Sequence, residues 1–201
     1  GAMLEHGTVY LKVDVPSWSR DRYEWTSMFP DSCHWVSLDC DGKYIYITTN
    51  YRVLVENGWL EDLQYQCEPT EYHAKRITVK FVCDRGVSHE FVRHRVFSFA
   101  QESTRYCNYS KNKFGNELTF IESENFPNIE ILHSPAYDNT WEVLMSAYEE
   151  AEAYYMTLIE AGVKPQFAAK VLPFGIKGEG YITGFISDWE HFFRLRAIGT
   201  T

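Results

Sequence analysis

Hydrophobic positions divide the chain into stretches of two periods. Residues 43–55 (KYIYITTNYRVLV) are dense in β-branched and aromatic side chains and predict a strand, with Asn57-Gly58 as the turn after it. Residues 75–83 (KRITVKFVC) alternate and predict a second strand, ended by Asp84-Arg85-Gly86. Ser88 then suits a helix N-cap with Glu90 in the first turn. Val92, Val96, Phe99 and Ala100 follow at i, i+4, i+7 and i+8, an apolar helical stripe. Residues 135–162 read as a long amphipathic helix stopped by Gly162, and 164–173 as a short helix closed before Pro173. Residues 178–186 (GEGYITGFI) suit a third strand, and 187–197 a final helix capped by Ser187 or Asp188. The expected class is α+β.

At 201 residues and 45% apolar composition, the chain can build one sizeable core, so one domain over 1–201 is expected. Gly1-Ala2-Met3 reads as a remnant of cloning. No apolar run approaches the ~20 residues that cross a bilayer, and no leader is visible, so neither membrane nor secretion is expected. The cysteines are five, an odd number, without CxxC, which suits reduced thiols in the cytoplasm. No HExxH or paired metal spacing occurs among the seven histidines, so no metal is expected.

The net charge of −9 argues against a general nucleic-acid surface, but the charge is uneven. Residues 85–113 hold six of the 19 basic residues (Arg85, Arg93, Arg95, Arg105, Lys111, Lys113) and only Glu90 and Glu102 of the 28 acidic ones. A basic island in an acidic body suits a small anionic ligand better than a long polyanion.

On a helix, Arg93 and Arg95 would lie about 200° apart. Either one is structural, or the helix lies between two anionic sites, as near a symmetric subunit interface. His94 and Ser98, at i and i+4, would share a further face. Ser103 and Arg105 fall where the helix should end, and a hydroxyl beside a planar fork of donors suits a phosphate. No Walker A or GxGxxG pattern follows a strand, the GxSxG elbow is absent, and residues 175–180 (GIKGEG) read as a loop.

The order R-H-R-x-x-S-x-x-x-x-S-x-R-Y over 93–106 resembles the signature of the flavin-dependent thymidylate synthases, the ThyX family. Seven specified positions match: Arg93, His94, Arg95, Ser98, Ser103, Arg105 and Tyr106. PTEYH (69–73), VLP (171–173) and DWEHFFRLRA (188–197) extend the similarity over about 69–197, as in a divergent or C-terminally truncated member.

The resemblance implies a homotetramer with helices around a twisted, mainly antiparallel sheet and FAD at subunit interfaces. It implies methylation of dUMP to dTMP, with methylenetetrahydrofolate as carbon donor and NADPH as reductant. By match, Arg93, His94, Arg95, Gln101 and His191 would contact FAD. Glu90, Arg93, Gln101 and Glu102 would line the nucleotide pocket, and Ser103 and Arg105 would hold the phosphate. Arg196 matches the arginine that faces the uracil ring and would be catalytic. Reduced flavin supplies hydride in that family, so no cysteine needs a catalytic role.

The chain departs from the pattern at three places. Ala100 stands for the motif Asn, and Ala169, beside Lys170, for an arginine before VLP. Phe185-Ile186-Ser187 replaces an Asn-x-Arg. Alternative readings are methylation of another pyrimidine nucleotide, such as UMP, and a flavin- or nucleotide-binding relative without turnover.

Overall fold

The structure, a computed structural model, describes residues 2–17, 37–112, 115–123 and 125–197. Cys33 and Lys113, which enter the thiol and charge arguments, lie outside the described residues. The class is α+β, with the strands among the described residues in two three-stranded sheets. No helix among the described residues is long and apolar enough to cross a membrane.

Contacts divide the chain into two compact units. The first comprises 1–81, 92–100 and 181–201, and the second 82–91 and 101–180. In the first, β1 (Thr8–Asp14) pairs antiparallel with β3 (Tyr44–Asn50), which also pairs antiparallel with β2 (Ser37–Cys40). Burial along β1 alternates, so Val9, Leu11 and Val13 enter a core with Ile47 and Leu54. Between β2 and β3, Asp41 accepts the backbone N–H groups of Lys43 and Tyr44 and the Tyr46 hydroxyl. These bonds hold its carboxyl down at about 2.

The predicted strand over 43–55 is corrected at its midpoint. Asn50 accepts the Val53 N–H, and helix α1 (Tyr51–Asn57) begins there. Gly58, at φ 73°, ends it. The cap and the left-handed glycine outweigh the strand preference of Tyr51, Val53 and Val55.

Strand β4 (Arg76–Asp84) agrees with expectation. The second sheet has the order β4–β6–β5, with β6 at Lys177–Phe185 and β5 at Ser98–Gln101. The strand expected over 178–186 is thus present one residue earlier, and the loop read for 175–180 gives way to strand from Lys177 on. A second correction concerns the helix expected from Ser88. Helix α2 is Arg85–Phe91, and Asp84 accepts the Val87 N–H at its start. Ser88 is buried in mid-helix and donates to the Arg85 carbonyl, while Glu90 sits in the last turn. The apolar stripe from Val92 to Ala100 is not helical: 92–97 form a turn and 98–101 a strand. The pairing of β5 with a strand about 80 residues away overrides local periodicity.

In the second unit, helix α3 (Thr140–Glu160) is shorter than the 135–162 expected. Asn139 accepts the Glu142 N–H, and Glu142 reaches back to the Asp138 N–H and the Asn139 amide, so the helix starts after Asn139. Gly162, at φ 83°, follows its end. Tyr155 is fully buried with Tyr109, Leu118, Ala168 and Ile176. Helix α4 (Pro165–Ala168) has proline in its first turn and runs into a 3-10 turn, Ala169–Val171. The last helix, α5 (Ile186–Arg196), belongs to the first unit. Its N-cap is Phe185, not Ser187 or Asp188. Asp188 lies in the first turn and accepts the Phe185 N–H.

Candidate functional site

The sequence-predicted residues fall in both units, and each group has its own local support. Arg93, His94 and Arg95 form a turn of the first unit. Phe97 anchors it. Its ring is 4% exposed, lies 4.5 Å from the Trp189 ring and 6.0 Å from Phe192, and rests against Gly184 of β6. A Cβ at Gly184 would enter that ring, so the close approach requires glycine. The Phe97 N–H donates to the His94 carbonyl. Trp189 is held in turn by its indole N–H on the Ile77 carbonyl.

This anchorage fixes His94. Its ring meets Phe192 edge-on at 4.9 Å, and Arg196 donates from Nε to His94 Nε2 at 3.3 Å. Phe192 and Arg196, one turn apart on α5, flank the imidazole. Nε2 is the acceptor in this bond. Arg93 and Arg95 are exposed on the same turn, and His191 is exposed on α5. The two arginines are not on a helix, so no helical geometry sets them on opposite faces. Nor do His94 and Ser98 share a helical face. Ser98 is a fully buried strand residue whose Oγ has no hydrogen-bond partner among the described residues.

The remaining residues belong to the second unit. Gln101 donates from its side-chain amide to Ser88 Oγ at 2.6 Å. Sequence reasoning missed Ser88 as this support, since a pairing 13 residues apart follows no local period. The Glu102 N–H donates to the Glu179 carbonyl, and the Glu102 carboxylate lies beside the Tyr109 hydroxyl. Burial, together with that carboxylate, pushes the phenol above its ordinary range.

Ser103 opens a tight turn. Its carbonyl accepts the N–H groups of Tyr106 and Cys107, and its Oγ accepts the Arg105 N–H at 3.3 Å. The hydroxyl proton then remains to be donated. Arg105 is exposed, with its guanidinium 5.7 Å from the Tyr106 ring centre. A hydroxyl and a guanidinium on one turn form a donor set suited to an oxyanion. Glu90 is exposed at the end of α2.

Among the departures, Ala100 is half-buried in β5. Ala169 is half-buried after α4, and Lys170 lies over the Phe167 ring at 6.0 Å. Phe185 faces the buried Arg76 guanidinium at 5.7 Å. Among the described residues no cluster of His, Cys, Asp and Glu could hold a metal, and Cys40, Cys67 and Cys83 are free thiols.

Comparison with known proteins bears on the same segment. Residues 64–199 match the family model described as thymidylate synthase complementing protein, and the 93–106 motif lies inside it. A probable flavin-dependent thymidylate synthase of Paramecium bursaria Chlorella virus 1 is 27% identical over 127 residues, 62% of this chain and 58% of that protein. The flavin-dependent thymidylate synthase of Thermococcus onnurineus is 30% identical over 115 residues, 57% of this chain and 43% of that protein. The chain thus spans about half the length of these curated relatives. The crystal structure of a UMP/dUMP methylase, PolB from Streptomyces cacaoi, bound with 5-Br dUMP, aligns at a TM-score of 0.47 with 23% identity, covering 60% of this chain and 53% of that one. With more than half of its length matched by the family model, the chain belongs to the thymidylate synthase complementing protein family, that of the flavin-dependent thymidylate synthases.

Proposed function

We propose that the chain is a flavin-dependent thymidylate synthase that methylates dUMP to dTMP, with methylenetetrahydrofolate as carbon donor and NADPH as reductant. The observation that carries this reading is the 93–95 turn, braced by Phe97, with Arg196 donating to His94 Nε2 inside the family-matched segment. It gives the motif residues and the distant Arg196 a common local setting.

The donor set fits FAD. Arg93 and Arg95 offer exposed guanidinium groups for a pyrophosphate, and His94, Gln101 and His191 complete the flavin-contacting group by match to the motif. Bound FAD supplies hydride and takes part in carbon transfer. The chain's own residues bind and polarise the nucleotide. Ser103 and Arg105 hold its phosphate, and Glu90, Arg93, Gln101 and Glu102 line its pocket. Arg196 engages His94 through Nε, which leaves its terminal nitrogens to polarise a pyrimidine carbonyl. The assembly we infer is a homotetramer whose sites draw on more than one subunit, so these residues are not required to meet within one chain. We infer a cytoplasmic enzyme from the odd number of cysteines and the lack of CxxC.

A second reading, methylation of UMP, is favoured by Ala169 and by Phe185-Ile186-Ser187, which replace nucleotide-side residues of the family pattern. Tritium release from 5-tritiated dUMP and UMP tests both. Release from dUMP that requires FAD, NADPH and methylenetetrahydrofolate supports the first reading, and release from UMP alone supports the second. Bound flavin with no release from either nucleotide overturns both and leaves a binding protein without turnover.

A further inference from the structure

Residues 114–163 contain ten Asp and Glu and no Lys or Arg. They include α3, whose two halves are packed differently. Toward its C-terminal end, Tyr155 is in the core of the second unit, with Met156, Leu158 and Ile159 against it. Toward its N-terminal end, Trp141, Tyr148, Glu149 and Glu152 follow at i, i+7, i+8 and i+11, one face of the helix. That face lines a cavity of about 280 Å³, with Phe120 and Glu122 as further walls. The volume approaches that of sites which take small molecules.

The walls are built rather than incidental. The Tyr148 and Phe120 rings stack at 4.3 Å with 7° between their planes. The Tyr148 hydroxyl lies against Gly175, which leaves it room that a Cβ would take. Glu152 accepts the Leu118 N–H through Oε1 at 2.9 Å, which fixes that carboxylate. The charged groups in the lining are all carboxylates: Glu122, Glu149 and Glu152. An anion there would meet the repulsion of three carboxylates. A neutral apolar guest would strip water from the carboxylates without replacing it. A cation with an apolar body satisfies both the carboxylates and the aromatic faces.

We propose that this cavity binds a small organic cation, an ammonium or amidinium head on an aromatic or aliphatic body. The body lies along the Tyr148, Phe120 and Trp141 rings, and the head faces Glu122 and Glu149. None of these residues belongs to the flavin and nucleotide set, so the site stands or falls independently of the proposed activity.

The test is calorimetric titration of the full chain with benzyltrimethylammonium, and with benzenesulfonate as the anion of similar body. Saturable binding of the cation at one site is expected, weakening as salt is raised, with no binding of the sulfonate. The double variant Glu122→Gln/Glu149→Gln should bind the cation at least about tenfold more weakly. Both side chains are exposed, so its circular dichroism should match the parent's. Trp141→Phe should abolish the cation's effect on tryptophan fluorescence. The proposal is overturned by no saturable binding of the cation, by equal binding of the sulfonate, or by unchanged affinity in the double variant.

Discussion

Gly184→Ala places one methyl group where the Phe97 ring already lies. The built Cβ falls 2.6 Å from Phe97 Cε1 and closer still to Cδ1. Ordinary carbon contacts are about 3.5–4.0 Å, so the ring must retreat by about 1 Å or more. It has little room, because Phe97 is 4% exposed and Trp189 stands 4.5 Å behind it. Gly184 does not adopt a positive φ, so alanine strains no backbone there and the cost is steric alone. Overpacking of this kind costs about 1–3 kcal/mol, or roughly 2–12 °C in Tm for a chain of this length. The 93–95 turn moves with the ring, so retained FAD should fall as well. Phe97→Ala removes both Cδ1 and Cε1, the two atoms the new methyl would meet. In that background Gly184→Ala should cost at least about 1 kcal/mol less than in the parent. Urea titrations of the four chains, followed by fluorescence and circular dichroism, give the coupling. Additivity within about 0.5 kcal/mol would show that the two side chains do not compete for space and would refute the reasoning.

Further outcomes are expected. Arg196→Ala should reduce turnover strongly in the tritium assay while FAD absorbance is retained; loss of flavin instead would contradict its assigned role. Arg105→Ala should weaken dUMP binding about 30- to 100-fold, through about 2–3 kcal/mol of lost phosphate contact, with urea stability unchanged. Asn50→Ala removes the cap of α1 and should lower stability by about 1–2 kcal/mol in urea titration. Burial holds the His6 imidazole below its ordinary 6.5, beside Thr183 Oγ1 at 2.7 Å. Its neutral form is the one the fold accommodates, so its contribution is complete above pH 6.5 and is lost as pH falls from there through the lowered native value. Urea midpoints between pH 7.5 and 5.5 should therefore fall less in His6→Gln than in the parent.

The α+β class and the existence of β4, β6, α3 and α5 were legible in the sequence, because their apolar patterns run over many residues, while their ends were not. The sequence also determined the family, because the 93–106 motif keeps its residue types at fixed spacing whatever backbone carries them. Tertiary structure decided what that backbone is. Val92, Val96, Phe99 and Ala100 fit a helical stripe, yet β5 pairs with β6, and nothing local announces a partner about 80 residues away. Tyr51, Val53 and Val55 favour a strand, but the cap at Asn50 and the left-handed Gly58 make them helix. The packing of Phe97 against Gly184, and the bond from Arg196 to His94, join residues 87 and 102 positions apart. Spacing along the chain carries no information about such contacts. They follow from the burial of an aromatic ring where a glycine leaves room for it.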